Sequence, residues 1–172
     1  MILEPLSPGP DHALPGELLG EVAELYASNR EFFALSGDYP DPDHITVEQV
    51  ATELADELAQ PGAEVLLARA GGRLAGVAVT LAHHPDPADP DPWIGFLIVD
   101  GARQRKGYGR ELAAAVEERF RAAGRDAVRL AVLEANPKGL AFWQSLGYEE
   151  IDRRVDRQLQ RPCRVLRKRL SS

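Results

Sequence analysis

The stretch from Trp93 to Gly124 constrains the fold more tightly than any other part of the chain. Trp93-Ile94-Gly95-Phe96-Leu97-Ile98-Val99 is a short apolar run, followed by Asp100-Gly101-Ala102 and then Arg103-Gln104-Arg105-Lys106-Gly107-Tyr108-Gly109. Tyr108–Ala123 reads as a helix stopped by Gly124, a suitable residue behind a helix C-terminus. A strand that turns through glycines into a helix exposes unpaired N–H groups at the positive end of the helix dipole, which makes an anion site. The glycines permit a close approach to the backbone. Arg103, Arg105, Lys106 and Arg110 add positive charge, and the arrangement suits a pyrophosphate. The Gly-Lys-Ser/Thr ending of a Walker loop is absent, and so is the third glycine of a dinucleotide fingerprint.

Other signals place this unit within one domain, residues 1–172. Residues 1–6 can form a first strand. Leu18, Leu19, Val22, Leu25, Tyr26 and Phe33 recur at helical spacing and predict one amphipathic helix over 16–35, broken by Gly37, Pro40 and Pro42. Thr46 with Gln49 forms a capping box ahead of a second helix that ends at Pro61-Gly62. Residues 64–70 and 73–82, joined by Gly71-Gly72, read as a hairpin. The run 83–92, His-His-Pro-Asp-Pro-Ala-Asp-Pro-Asp-Pro, cannot pair in a sheet and is expected to be an exposed loop. Val128–Leu133 is a strand, Pro137–Leu146 a helix with Gly147 behind it, and Tyr148–Val155 with Cys163–Leu170 a closing pair of strands. This order predicts an α/β (α+β) fold, a mixed sheet with helices on both faces.

Composition excludes several classes. With 44% hydrophobic and 27% charged residues the chain is neither disordered nor fibrous. A single cysteine, Cys163, excludes an intramolecular disulfide framework and a multi-cysteine zinc site. No apolar run approaches the roughly 18 residues of a membrane span. The N-terminus lacks the basic-then-apolar pattern of a signal peptide, so a cytoplasmic location and no membrane partner are expected. Charge is divided unevenly: residues 1–100 carry 3 basic and 18 acidic residues, residues 101–172 carry 17 basic and 9 acidic. The basic half could receive an anion and the acidic half a cation such as an amine, or the halves could attract each other within the fold. No basic run interleaved with aromatics points to nucleic acid.

Gln104-Arg105-Lys106-Gly107-Tyr108-Gly109 resembles the Gln/Arg-x-x-Gly-x-Gly/Ala acyl-CoA signature of the GNAT N-acetyltransferase superfamily. A second block, Asn136 followed by Pro137–Leu146 and Gly147-Tyr148, resembles that family's Asn, helix and Leu-Gly-Phe/Tyr ending. The blocks stand in the family's order and spacing, each behind an expected strand. The resemblance covers residues 64–150 well; residues 1–62 would be the variable substrate side, and 148–170 the closing strands. It implies a central, mostly antiparallel sheet of about six or seven strands, splayed between the fourth and fifth and flanked by about four helices.

By resemblance, the turn from Gln104 through Lys106, Gly107, Tyr108 and Gly109 to Arg110 would hold the pyrophosphate of acetyl-CoA, with amides from Arg105 onward. The backbone of Phe96, Leu97, Ile98 and Val99 would pair with the pantetheine arm. An N–H at Leu97 or Ile98 would stabilise the oxyanion. Asn136 would bond the pantetheine, beside its role as a helix cap, and Phe142 and Trp143 would line the pocket. The implied activity is acetyl transfer to an amine of a small molecule or peptide by direct attack, without a metal. Two departures stand out: the family's usual acid tyrosine is Trp143 here, and its usual strand glutamate is Gly95. Glu134, His83 and His84 are the substitute bases to weigh. Tyr26, Phe33 and Tyr39 are candidate substrate contacts, with Glu31 near them. The alternative sustained by the departures is a non-catalytic acyl-CoA-binding or sensing module. Homodimerisation through the closing strands is compatible with either.

Overall fold

The computed structural model describes residues 1–7, 13–103 and 106–170. Among them are seven strands and five α-helices: β1 (Ile2–Pro5), α1 (Gly16–Ala27), α2 (Arg30–Ser36), α3 (Val47–Ala59), β2 (Ala63–Ala70), β3 (Arg73–Leu81), β4 (Trp93–Val99), α4 (Tyr108–Ala122), β5 (Ala127–Leu133), α5 (Pro137–Ser145), β6 (Glu149–Val155) and β7 (Pro162–Arg169). The strands form one sheet in the order β1-β2-β3-β4-β5-β7-β6. Every pairing is antiparallel except β4–β5. The mixed sheet expected from the sequence is therefore present.

Alternation along the strands sends the two halves of the core to opposite faces. Val65, Leu67, Val77 and Val79 pack beneath α1, α2 and α3, with Val22, Tyr26, Phe33, Val50 and Leu54. Leu66, Ala68 and Ala78 face the other way, against Leu112 and Val116 of α4 and Val128, Leu130 and Leu166 of the sheet. The Thr46–Gln49 capping box forms in both directions at the start of α3. No helix among the described residues is long and apolar enough to cross a membrane.

One expected element is divided. The helix predicted over 16–35 is two helices, because the chain breaks at Ser28-Asn29. Asn29 is buried, and its side-chain amide donates to the Leu25 carbonyl (3.0 Å) and, across the fold, to the Val99 carbonyl (2.9 Å). The Ser28 hydroxyl accepts from the Gly101 amide (2.8 Å). A Cβ on Gly101 would lie 2.2 Å from the Ser28 carbonyl oxygen, so this contact admits only glycine. Helix α2 is thereby redirected over the end of β4.

The proline-rich segment 83–92 is a loop, but it is not wholly exposed. Asp89 is 4% exposed, and its carboxylate accepts from Arg129 (2.7 Å) and Arg154 (2.9 and 3.0 Å). Asp91 accepts from Arg129 (2.8 Å) and Arg167 (2.9 Å). The acidic first part of the chain is thus clasped to the basic last part by these pairs.

Candidate functional site

Strands β4 and β5 pair over only two positions, Trp93 with Arg129 and Ile94 with Leu130, and then diverge. Their partners hold them apart: β4 stays paired with β3 out to Val99, and β5 with β7 out to Leu133. On β4 the register slips at the same place. Val79 faces Phe96 while Thr80 faces Ile94, which leaves Gly95 as the extra residue of a β-bulge. A Cβ there would meet only the Val79 carbonyl oxygen, at 3.7 Å, so the position has room for a side chain it does not carry.

The divergence opens a cleft of about 240 Å³. Its walls are Ile94 to Leu97 and Leu130 to Leu133, closed by Asn136, Trp143, Cys163, Phe32 and Arg161. Backbone polarity within it follows from strand alternation. The Asp100 amide donates to Ala75 on β3 (2.8 Å), so Ile98 also turns its amide toward β3, and Leu97 and Val99 turn theirs to the opened side. The Val99 carbonyl is the one that Asn29 takes.

At the C-terminal ends of the splayed strands two helices begin. Helix α4 starts at Gly107, which has φ +83 and provides no side-chain cap. The first bond back into the turn comes from Glu111 to the Gly107 carbonyl (3.0 Å), so the amides of Tyr108, Gly109 and Arg110 are the orphan donors of this helix. The Arg103 guanidinium lies over the Tyr108 ring (5.6 Å), and Lys106 and Arg110 are exposed beside it. Gln104 and Arg105 lie outside the described residues. Helix α5 starts at Asn136, whose Oδ1 accepts from the Gly139 amide (3.0 Å). The first turn of α4 lies against the middle of α5, since a Cβ on Gly109 would stand 3.3 Å from the Phe142 ring. Trp143 packs edge-on between Phe142 and Tyr148.

A second, larger cavity of about 680 Å³ lies on the other side of Gly95 and Phe96, which line both. Helix α3 supplies its acidic wall through Glu48, Glu53, Asp56 and Glu57, with Asp38 and Tyr39 opposite. Burial raises the pKa of Glu53 and of Glu57. The Tyr39 hydroxyl donates to Glu53 Oε2. Arg161, from the β6–β7 turn, also lines both cavities; it bonds Asp156 (2.6 Å), Asp38 (3.3 Å) and the Ser36 carbonyl. That pairing holds the Asp156 carboxyl down at about 2.

Among the sequence candidates, Phe96, Leu97, Asn136 and Trp143 line the cleft. Tyr39 lines the acidic cavity; Tyr26 and Phe33 are 1% exposed and pack with Tyr39 and Phe96 in the aromatic wall behind it. Glu134 lies 3.8 Å from Arg164 and lines neither cavity. His83 lines neither cavity, and His84 stacks on Trp93 (4.9 Å). Glu31 is exposed, within 4.0 Å of Lys138. Tyr148 is buried and donates to Glu117 (2.9 Å), a core role. Sequence reasoning did not single out Phe32, Asp38, Glu53, Glu57 or Arg161. A signal for α3 was present: Gln49, Glu53, Asp56, Glu57 and Gln60 recur at helical spacing on one polar face.

Comparison with known proteins gives a consistent set of likenesses. Residues 22–148 match the Acetyltransferase (GNAT) family. A mycothiol acetyltransferase of Thermomonospora curvata is 34% identical over 128 residues, which is 74% of this chain and 40% of that protein. The matched stretch therefore spans under half of that relative's length. An acetyltransferase crystal structure from Thermus thermophilus superposes with a TM-score of 0.73 at 21% identity, covering 99% of this chain and 98% of the other. A spermidine N-acetyltransferase from Vibrio cholerae, solved with CoA and spermine, gives a TM-score of 0.68 at 14% identity over 98% of this chain and 95% of the other.

Proposed function

Because the chain belongs to the GNAT acetyltransferase family, we propose that it moves an acetyl group from acetyl-CoA to a primary amine of a cationic acceptor, by direct attack with both substrates bound. The observation that carries this reading is the meeting of two cavities at Gly95 and Phe96, one between splayed strands and one walled by carboxylates. A sensing module needs only the first. An open acidic cavity against the same residues is what an amine acceptor requires.

The cleft fits the co-substrate on grounds of its own. The opened backbone of β4 offers amide and carbonyl groups to the amides of a pantetheine arm, and the Leu97 N–H is the donor aimed at the thioester oxygen. The amides of Tyr108, Gly109 and Arg110, with Lys106, are suited to a pyrophosphate; Gln104 and Arg105 belong to the same turn. Asn136 caps α5 and lines the cleft, as does Trp143, against which Phe142 packs; the Asn136 amide is suited to bond the pantetheine. Holding amine and thioester on either side of Gly95 removes much of the entropic barrier to their reaction.

Direct transfer is favoured over an acyl-enzyme by the state of Cys163. Burial and the nearby Asp156 push its thiol pKa up, which leaves it protonated and a poor nucleophile. In the test, thiol release from acetyl-CoA is followed with spermidine, kanamycin and a lysine peptide. Release that requires an amine is expected. Equal release without any amine, or none with all three, would contradict the reading.

A further inference from the structure

The reaction proposed above needs a group to take a proton from an ammonium acceptor, and neither Trp143 nor Gly95 can do so. Of the carboxylates that line the cleft itself, Asp38 and Asp156 are both bonded to Arg161; the acidic cavity brings further carboxylates to the wall it shares with Gly95 and Phe96. Glu53 projects from the middle of α3 into that cavity, whose wall it shares with Gly95 and Phe96. Tyr39, which is 6% exposed, fixes its Oε2 by donating the phenol hydrogen. Beneath both lies Tyr26, 1% exposed, whose hydroxyl has no hydrogen-bond partner among the described residues. Glu53, Glu57 and Asp38 all act on that phenol. A buried hydroxyl without a partner is costly, and this one lies behind the cavity wall, its ring against that of Tyr39.

We propose that Glu53, oriented by Tyr39, is the general base that deprotonates the acceptor amine at the Gly95 junction. This rests on the acetyl-transfer reading and adds to it the group that performs the proton transfer. The acceptor ammonium gives a proton to the Glu53 carboxylate, directly or through one water. The neutral nitrogen then forms its bond to the thioester carbon, the carbon–sulfur bond breaks, and the electron pair leaves on sulfur. The second nitrogen proton passes to the sulfur, giving the free thiol, and Glu53 returns its proton to solvent. One amide, one thiol and one released proton account for all atoms and charge.

The surroundings of Glu53 suit this task. Burial raises its pKa, the Tyr39 bond works against that rise, and Asp38 and Glu57 reinforce it. A carboxylate so placed is a better proton acceptor than an exposed one. The other titratable groups facing the cavity are Glu48, Asp56 and Glu57 from α3, Asp38, and Arg161 from the β6–β7 turn; Tyr26 from α1 packs behind Tyr39. Tyr39 does not touch the reacting atoms in this account and is a positioning residue.

The experiment compares wild type with Glu53→Gln, Glu53→Asp, Tyr39→Phe and the double variant Glu53→Gln/Gly95→Glu, using whichever of spermidine, kanamycin and the lysine peptide wild type acetylates fastest. Glu53→Gln is expected to lower kcat about 10²–10³-fold at neutral pH and to leave acetyl-CoA affinity unchanged. Its rate should recover as pH approaches the pKa of the amine itself, where no base is needed. Glu53→Asp should retain an intermediate rate, and the carboxylate restored at position 95, where a side chain has room, should return part of the lost rate. Tyr39→Phe should shift the acid limb of the pH–rate profile, which a merely structural role would not. Wild-type turnover with Glu53→Gln within twofold of it, and an unmoved profile, would overturn the assignment and leave acetyl transfer standing. Wild type inert to all three amines would overturn both.

Discussion

Asn136 carries two demands on one side chain. Its oxygen caps α5 through the Gly139 amide, and its nitrogen fills the space where a Cβ on Gly139 would sit, 2.5 Å away. Replacing it with alanine is expected to cost about 1 kcal/mol of stability, the usual value of an N-cap, and to weaken acetyl-CoA. Asn136→Asp separates the two roles: it keeps the cap oxygen and loses the amide donor. Urea unfolding should show it near wild type, whereas calorimetry should show its acetyl-CoA affinity reduced; equal affinity would remove Asn136 from the binding site. Cys163 tests the route of transfer. Cys163→Ala should retain amine-dependent thiol release, and intact-mass measurement of wild type with acetyl-CoA alone should find no acetylated chain. The cap at Asn136 was legible in the sequence, because it depends on local pattern. Glu53 and Arg161 were not, since their significance comes from Tyr39, Gly95 and Asp38, which only the folded chain brings to them.

At the level of elements, the splay between β4 and β5 follows from the resemblance in the sequence, but the bulge that begins it does not. Nothing local distinguishes Gly95 from an ordinary strand glycine until the β3 register is known. The division of the first helix was equally hidden. The apolar spacing through Leu25, Tyr26 and Phe33 continues across the break, and the residue that fixes it, Asn29, finds its partner 70 positions away at Val99. Here a tertiary hydrogen bond outweighs local periodicity. The contact is tight at its other half, where Gly101 meets Ser28. Gly101→Ala forces a Cβ against a backbone oxygen and is expected to cost about 1–3 kcal/mol through displacement of α2. The measurement is chemical denaturation beside acetyl-CoA titration. A variant as stable as wild type would mean that the α2 junction is loose.

Across the whole molecule, part of the split in charge is taken up by attraction within the fold. Asp89 and Asp91 spend theirs on the arginines of β5, β6 and β7, while the carboxylates of α3 face an open cavity. The two groups have opposite consequences for stability. Bonding to Arg154 holds the Asp89 carboxyl below its ordinary value of 3.8, and Arg161 holds Asp156 at about 2. A carboxylate depressed in the folded state stabilises the fold above its unfolded pKa and loses that contribution as pH falls through the folded value. Both contributions should therefore persist at pH 5 and decline as pH falls below about 4, that of Asp156 being lost by about pH 2. Asp89→Asn should lower stability by about 2–3 kcal/mol near neutrality, by leaving the arginines without their anion, and the deficit should shrink on acidification through that window. Glu53 and Glu57, raised by burial, have the reverse sign: they cost stability as pH rises from their unfolded values through their folded ones, and a bound cation would relieve it. The proposed acetyl transfer requires that the cleft between β4 and β5 hold the acyl donor. Calorimetric titration of acetyl-CoA into the protein tests that most directly. The account predicts saturable binding of one acetyl-CoA per chain, weakened by salt as a pyrophosphate contact would be. The absence of saturable binding at millimolar acetyl-CoA would contradict it.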